Sequence, residues 1–153
     1  MRRGRIILAL GAAAVGIPLA ALALWGDGEF AGPSHALWRA IVAVESGGDP
    51  LAYNKSAKSA GIVQIRPRTL LDIKRIAQKQ GLDAQFTLAD RFDPDKCRLM
   101  WRVYLNYYGQ KYTEQTHSVP SDSVYARIWN GGPTGWRKVS TLDYLARIRA
   151  ASE

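Results

Sequence analysis

Apolar positions recur with a helical period in five stretches of this 153-residue chain, and one further stretch is apolar on every side. The uniformly apolar stretch comes first. Ile6 to Trp25 carries no charge and follows Arg2, Arg3 and Arg5. Its length suits a bilayer-crossing helix and exceeds the ~7–15-residue core of a typical cleaved signal. The tripeptide Ala21-Leu22-Ala23 nonetheless resembles a signal-peptidase site. Residues 1–25 are therefore expected to be a signal peptide or a signal-anchor transmembrane helix, and the length favours the uncleaved anchor. The arginines ahead of the run place the N-terminus in the cytoplasm and the rest of the chain outside it.

A polar, Gly-rich linker follows over residues 26–33, and residues 34–153 read as one domain. Ser34 is a good N-cap for a helix whose Leu37, Ala40, Ile41 and Val44 form one apolar face. Glu45 ends that helix, and Gly47-Gly48 stop it. "DPLAYNKSAKS" is a polar loop, and "AGIVQI" a short extended or turn segment. Pro67 suits the first position of a second helix, with Leu70, Ile73, Ile76 and Ala77 on its buried side and Gly81 beyond its end. Asp93-Pro94 starts a third helix, expected to run through Met100, Trp101, Tyr104 and Leu105 to Gly109, with a loop over "QKYTEQTHSVP". Ser121 caps a fourth, with Val124, Tyr125, Ile128 and Trp129, up to Gly131-Gly132. Thr141 is expected to cap a last helix through Leu145 and Ile148. The pattern predicts a small, mostly α domain with a minimal β segment, preceded by one hydrophobic helix.

Charge narrows the partners. The formal net charge is +8, and the three N-terminal arginines leave +5 on the remainder. Such a surplus favours nucleic acid, anionic lipid or cell wall. The export segment, and the lack of a concentrated basic stripe in the domain, disfavour nucleic acid. Cys97 is the one cysteine and lies in an apolar-periodic helix, where a thiol is expected to be a small buried hydrophobe. His35 and His117 are the two histidines, and no metal-ligand spacing occurs, so neither a metal nor a cofactor is expected.

The candidate chemistry begins at Glu45. A carboxylate at a helix C-terminus meets the negative end of the dipole. If apolar neighbours also desolvate it, its pKa rises, and a carboxyl that stays protonated can donate to a leaving group. Gly47 and Gly48 leave room for a bulky substrate. Gln64 sits in a short apolar turn after Gly61, where a glutamine often satisfies local backbone. Trp129-Asn130 stand at a helix end before a Gly-Gly-Pro turn. An aromatic ring beside an amide suits a sugar, though taken alone it is more often a capped helix end with a core tryptophan.

The segments "ESGGDP", "SAGIVQIRP" and "ARIWNGGPTGW" occur in the order of the Glu-Ser, Gly-x-x-Gln and Ala-[Tyr/Trp]-Asn motifs. In this the chain resembles the lytic transglycosylases of the lysozyme-like superfamily, over roughly Leu37 to Ile148. The closing segment is also similar to the end of invertebrate-type lysozymes. The resemblance implies an α+β lysozyme-like fold. It implies that Glu45 is the catalytic acid and then base, that Ser46 lies near the substrate N-acetyl group or orients the acid, and that Gln64 binds sugar. Trp129 stands where the family commonly has tyrosine, which keeps the stacking face and removes a hydroxyl. Asn130 holds its motif in place or touches substrate. Arg66 occupies a position where many relatives carry methionine, and favours an anionic group such as a peptide carboxylate.

The reaction implied is cleavage of the MurNAc–GlcNAc β-1,4 bond of peptidoglycan with a 1,6-anhydro product. A two-carboxylate glycosidase needs a second acid. Asp49 lies in a turn that ordinarily occupies its side chain, "NKSAKSAG" offers none, and Asp90, Asp93 and Asp95 read as loop and helix-start residues. The alternatives are a hydrolytic muramidase and, in another class, a non-catalytic murein-binding protein of an envelope or virion complex. The expected partners are peptidoglycan strands, a membrane through residues 1–25, and envelope or virion assembly proteins. The expected location is the periplasmic side of the envelope or a virion membrane.

Overall fold

Helix α1 (His35–Ser46) begins where its sequence predicts. The Ser34 hydroxyl accepts from Leu37 N, and Gly47 closes the helix in the left-handed conformation. A computed structural model of the chain describes residues 32–83 and 85–153. The hydrophobic segment expected over residues 1–25 lies outside the described residues. Among the described residues no helix is long and apolar enough to cross a membrane.

After α1 the chain makes a two-stranded antiparallel hairpin, β1 (Tyr53–Asn54) and β2 (Ser59–Ala60), with Tyr53 opposite Ala60. It then doubles back so that Ile65 bridges to Ala60. Helix α2 (Pro67–Lys79) buries Leu70, Ile73, Ile76 and Ala77, the face its spacing predicts. A 3-10 turn over Ala89–Phe92 leads into α3 (Pro94–Thr116), capped by the Asp93 carboxylate on Asp95 N and Lys96 N. Helix α4 (Asp122–Gly131) and two 3-10 turns precede the last helix, α5 (Leu142–Ala150). The domain is mostly helical with a minimal sheet.

Two local expectations need correction. Helix α3 does not stop at Gly109 but runs two turns further, to a left-handed cap at His117. Gly109 is there for close packing: a Cβ on it would lie 2.7 Å from the Tyr125 ring. The extra turns carry Tyr112, which meets the Trp136 ring edge-on at 4.9 Å. Thr141 does not cap α5 with its side chain. Its buried hydroxyl instead bonds Gly135 O and Lys138 O and accepts from Arg127 Nε. A hydroxyl spent on tertiary contacts leaves none for a cap.

The core is centred on Trp101 and Ile41, with Trp38 edge-on to Trp101 at 5.2 Å. Full burial of each large aliphatic side chain here contributes about 1.5–3 kcal/mol. Cys97 is fully buried, and burial pushes its thiol pKa up to about 11, so it stays a neutral packing group. A polar clamp joins this core to the hairpin. Buried Arg91 donates to Lys58 O, Ile65 O and Leu88 O, at 2.8, 2.9 and 3.0 Å. Gly61 sits directly against it at φ +78°, where a Cβ would lie 1.5 Å from Arg91 O. Only glycine fits that contact and that backbone.

Candidate active site

Glu45 stands in the last turn of α1, half-buried, beside the left-handed cap at Gly47. The Tyr144 hydroxyl of α5 donates to Glu45 Oε1 at 2.8 Å. Loss of hydration raises the Glu45 pKa above its ordinary value. The Tyr144 hydrogen bond, the Arg147 and Arg66 guanidiniums and the Trp129 indole N–H all favour the charged form, and burial outweighs them together. The acid is thus held toward its protonated state, with a hydroxyl fixing its orientation. Burial and the adjacent carboxyl raise the Tyr144 phenol far above its usual range, so it remains a donor.

Ser46 ties two elements together. Its hydroxyl reaches Ile62 O at 2.8 Å and accepts from Gly48 N. That bond docks the turn carrying Gln64 onto the end of α1. Gln64 has a left-handed backbone, at φ +53°. Its amide nitrogen donates to Ala52 O and Gly61 O, and its Oε1 accepts from Ser59 Oγ. Both amide protons are committed to the hairpin, so what it offers a sugar is one lone pair on Oε1.

Trp129 and Asn130 close α4 on the other side. Trp129 is half-buried, edge-on to Tyr104 at 5.8 Å. Asn130 is exposed, and its amide has no hydrogen bond among the described residues. Of the two roles expected for it, contact with a ligand is the one its geometry leaves free. Asp49 is exposed and its carboxylate accepts from Leu51 N at 2.8 Å, an Asx turn. Asp90 is occupied by Thr87 and Lys96, and Asp93 by the α3 cap. The groups that set the Glu45 ionisation include no second acid. Among the described residues no group of three or more metal-ligating side chains gathers.

Sequence pattern does not single out Tyr144 or Arg91. Tyr144 lies beside Leu145 on the buried face of α5, where it reads as core. The available signal was its polar tip: a buried tyrosine hydroxyl ordinarily finds a partner.

The fold has counterparts among solved structures. One is a chain in the crystal structure of Aeromonas hydrophila PliI in complex with Meretrix lusoria lysozyme. It is 25% identical, with a TM-score of 0.61, covering 79% of this chain and 93% of that one. Another is Tapes japonica lysozyme, 20% identical with a TM-score of 0.62 and the same coverage. No curated protein gives a significant sequence match. The Transglycosylase SLT domain family matches residues 31–137, a span that holds Glu45, Gln64, Trp129 and Asn130 and ends before Tyr144. With most of its length matched and a protonatable glutamate at the end of its first described helix, the chain belongs to the Transglycosylase SLT domain family, glycan-cleaving enzymes of peptidoglycan on a lysozyme-like fold.

Proposed function

We propose that the chain is a peptidoglycan lytic transglycosylase that cuts the MurNAc–GlcNAc β-1,4 bond and leaves a 1,6-anhydro muramoyl end. The observation that carries this reading is one carboxyl, Glu45, with a raised pKa and no acidic partner among the described residues. Glu45 gives its proton to the glycosidic oxygen as the C1–O bond breaks, and the leaving GlcNAc departs as an alcohol. The substrate's own N-acetyl oxygen stabilises the positive charge at C1. The Glu45 carboxylate then takes the proton of the muramoyl C6 hydroxyl, O6 bonds to C1, and the acid is restored. Tyr144 holds the carboxyl in place through both steps, and Trp129 and Asn130 supply a stacking face and an amide. One residue that alternates between acid and base needs no second carboxylate.

The reading extends to location. The apolar run behind three arginines supports export, with the domain held on the outer side of the membrane, where local wall opening in envelope assembly or phage entry takes place. Fractionation of cells expressing the full chain, with alkali extraction of membranes, tests the anchor.

The chemical test is digestion of purified murein with mass spectrometry of the products. Anhydro-terminated fragments from wild type, and none from Glu45→Gln, are expected. Fragments one water heavier would make the protein a muramidase. Binding of murein with no cleavage by wild type would make it a wall-binding protein.

A further inference from the structure

Three cations from α2 and α3 converge on the ring of Tyr107. Lys79 Nζ lies 5.6 Å from its centre, the Arg75 guanidinium 5.7 Å and Lys111 Nζ 5.9 Å. No other ring among the described residues has more than one. Lys79 Nζ also donates to the Tyr107 hydroxyl at 3.4 Å. Arg75 and Lys79 hold that phenol below its ordinary pKa, the mark of a positive local field. The nearby acids are already engaged, Asp72 by Arg75 and the Tyr108 hydroxyl, Glu114 by Lys111. Lys74 and Lys79 have no carboxylate partner among the described residues.

Arg75 also borders an open groove of about 440 Å³ beside α2. Its lining combines two apolar side chains, Leu71 and Leu82, two cations, Lys74 and Arg75, and the amides of Gln78 and Gln85, with Asp83 as its one acid. Leu71 is 67% exposed and sits one turn before Arg75 on the same face of α2. Cations and amides alone would suit any hydroxylated anion. An uncovered leucine among them asks for an amphiphile, whose phosphate meets the cations and whose hydrocarbon covers the leucine.

The entry of the chain into the domain says which amphiphile is at hand. Gly32 packs on α3: a Cβ on it would lie 2.5 Å from Asn106 Oδ1. Asp122 holds Ser34 through the backbone N–H and the hydroxyl. Asn106 immediately precedes Tyr107, so entry point and cation cluster share one level of α3, about 100° apart. Residues 26–31, between the apolar run and Gly32, span at most about 20 Å. A bilayer that holds the run is within reach of the cluster.

Building on the anchored location read above, we propose that the α2 groove and the cations around Tyr107 are a docking site for an anionic phospholipid headgroup, which lays the catalytic domain on the bilayer by its α2–α3 face.

The test uses the full chain in phosphatidylcholine nanodiscs with or without phosphatidylglycerol. A bimane on Gln78→Cys reports on the groove, because Cys97 is buried and does not label. A nitroxide on a trace of the phosphatidylcholine headgroups is the quencher. The readout is the ratio of quenching between the two discs, in which any effect on the probe itself cancels. Phosphatidylglycerol is expected to raise quenching about twofold or more. Lys74→Gln with Lys79→Gln should bring the ratio near one and leaves the Asp72–Arg75 pair in place. Lys55→Gln with Lys58→Gln, the same charge change on the hairpin, should keep the wild-type ratio. Equal quenching in the two discs would overturn the inference, as would an equal fall in the hairpin control. Displacement by soluble poly(glycerol phosphate) at matched phosphate would make the groove a wall-polymer site and remove the lipid. Release of the chain from cell membranes by alkali would instead remove the anchor. The inference is then judged by flotation of the free chain with phosphatidylglycerol vesicles, where failure to float overturns it.

Discussion

The two walls beside Glu45 are built on opposite principles. The hairpin wall is polar and saturated: Gln64 spends both amide protons and Arg91 satisfies two carbonyls there. The helical wall, from α4 and α5, holds Trp129, Asn130, Tyr144 and Arg147; Tyr144 and the Trp129 indole N–H are turned on the acid itself, while among the described residues Asn130 and Arg147 make no side-chain hydrogen bond. A saturated network fixes shape. An unsaturated one keeps hydrogen-bonding capacity for a ligand. Glu45 lies between them, buried enough to be pushed toward its neutral form and not paired enough to be pulled back.

The largest effect that would break this contrast is on Glu45. Glu45→Gln keeps the acceptor for Tyr144 but cannot donate, and turnover should fall by about 10²–10⁴-fold. Release of soluble murein fragments measures it, and a variant with a tenth of wild-type turnover would remove the acid role. Next come the shape residues. Arg91→Met strips donors from three carbonyls and should cost about 3 kcal/mol in urea unfolding, and Gln64→Ala about 2 kcal/mol. If the hairpin wall mainly fixes shape, turnover of folded Gln64→Ala protein falls less than that of Tyr144→Phe. A larger fall would make Gln64 a substrate ligand first.

Tyr144→Phe sharpens the other wall. It should lower kcat/KM by about tenfold, near the ~1.4 kcal/mol of one hydrogen bond. The lost hydroxyl favoured the carboxylate, so the Glu45 pKa rises further and the alkaline limb of the pH–rate profile moves to higher pH. A move to lower pH would contradict the assignment. The smallest effect concerns stability. A carboxyl whose folded pKa is raised carries no penalty below its unfolded pKa, and destabilises the fold as pH climbs through the folded value. Glu45→Gln should therefore be more stable than wild type at neutral pH, with the gain vanishing in acid. Thermal melts across that range measure the sign.

Most helices were legible because each is amphipathic and capped by its own sequence. Ser34, Asp93 and Ser121 cap as read, and the α2 face is the one its spacing predicts. Gly109 misled because local pattern cannot tell a helix-stopping glycine from one that admits a neighbouring ring. Thr141 misled because its hydroxyl had tertiary partners to choose from.

For the site, local sequence determined that an acid would close an apolar helix beside paired glycines, and motif order linked it to a glutamine and an aromatic–amide pair. How these residues are buried and partnered was decided only in three dimensions. Tyr144 stands 99 positions from Glu45, and Arg66 and Arg147 lie on separate elements. Spacing along the chain reports periodicity within one element. Burial, which raises the acid's pKa, and the pairing that opposes it depend on distances between elements, and those exist only once α1, the hairpin and α5 have packed together.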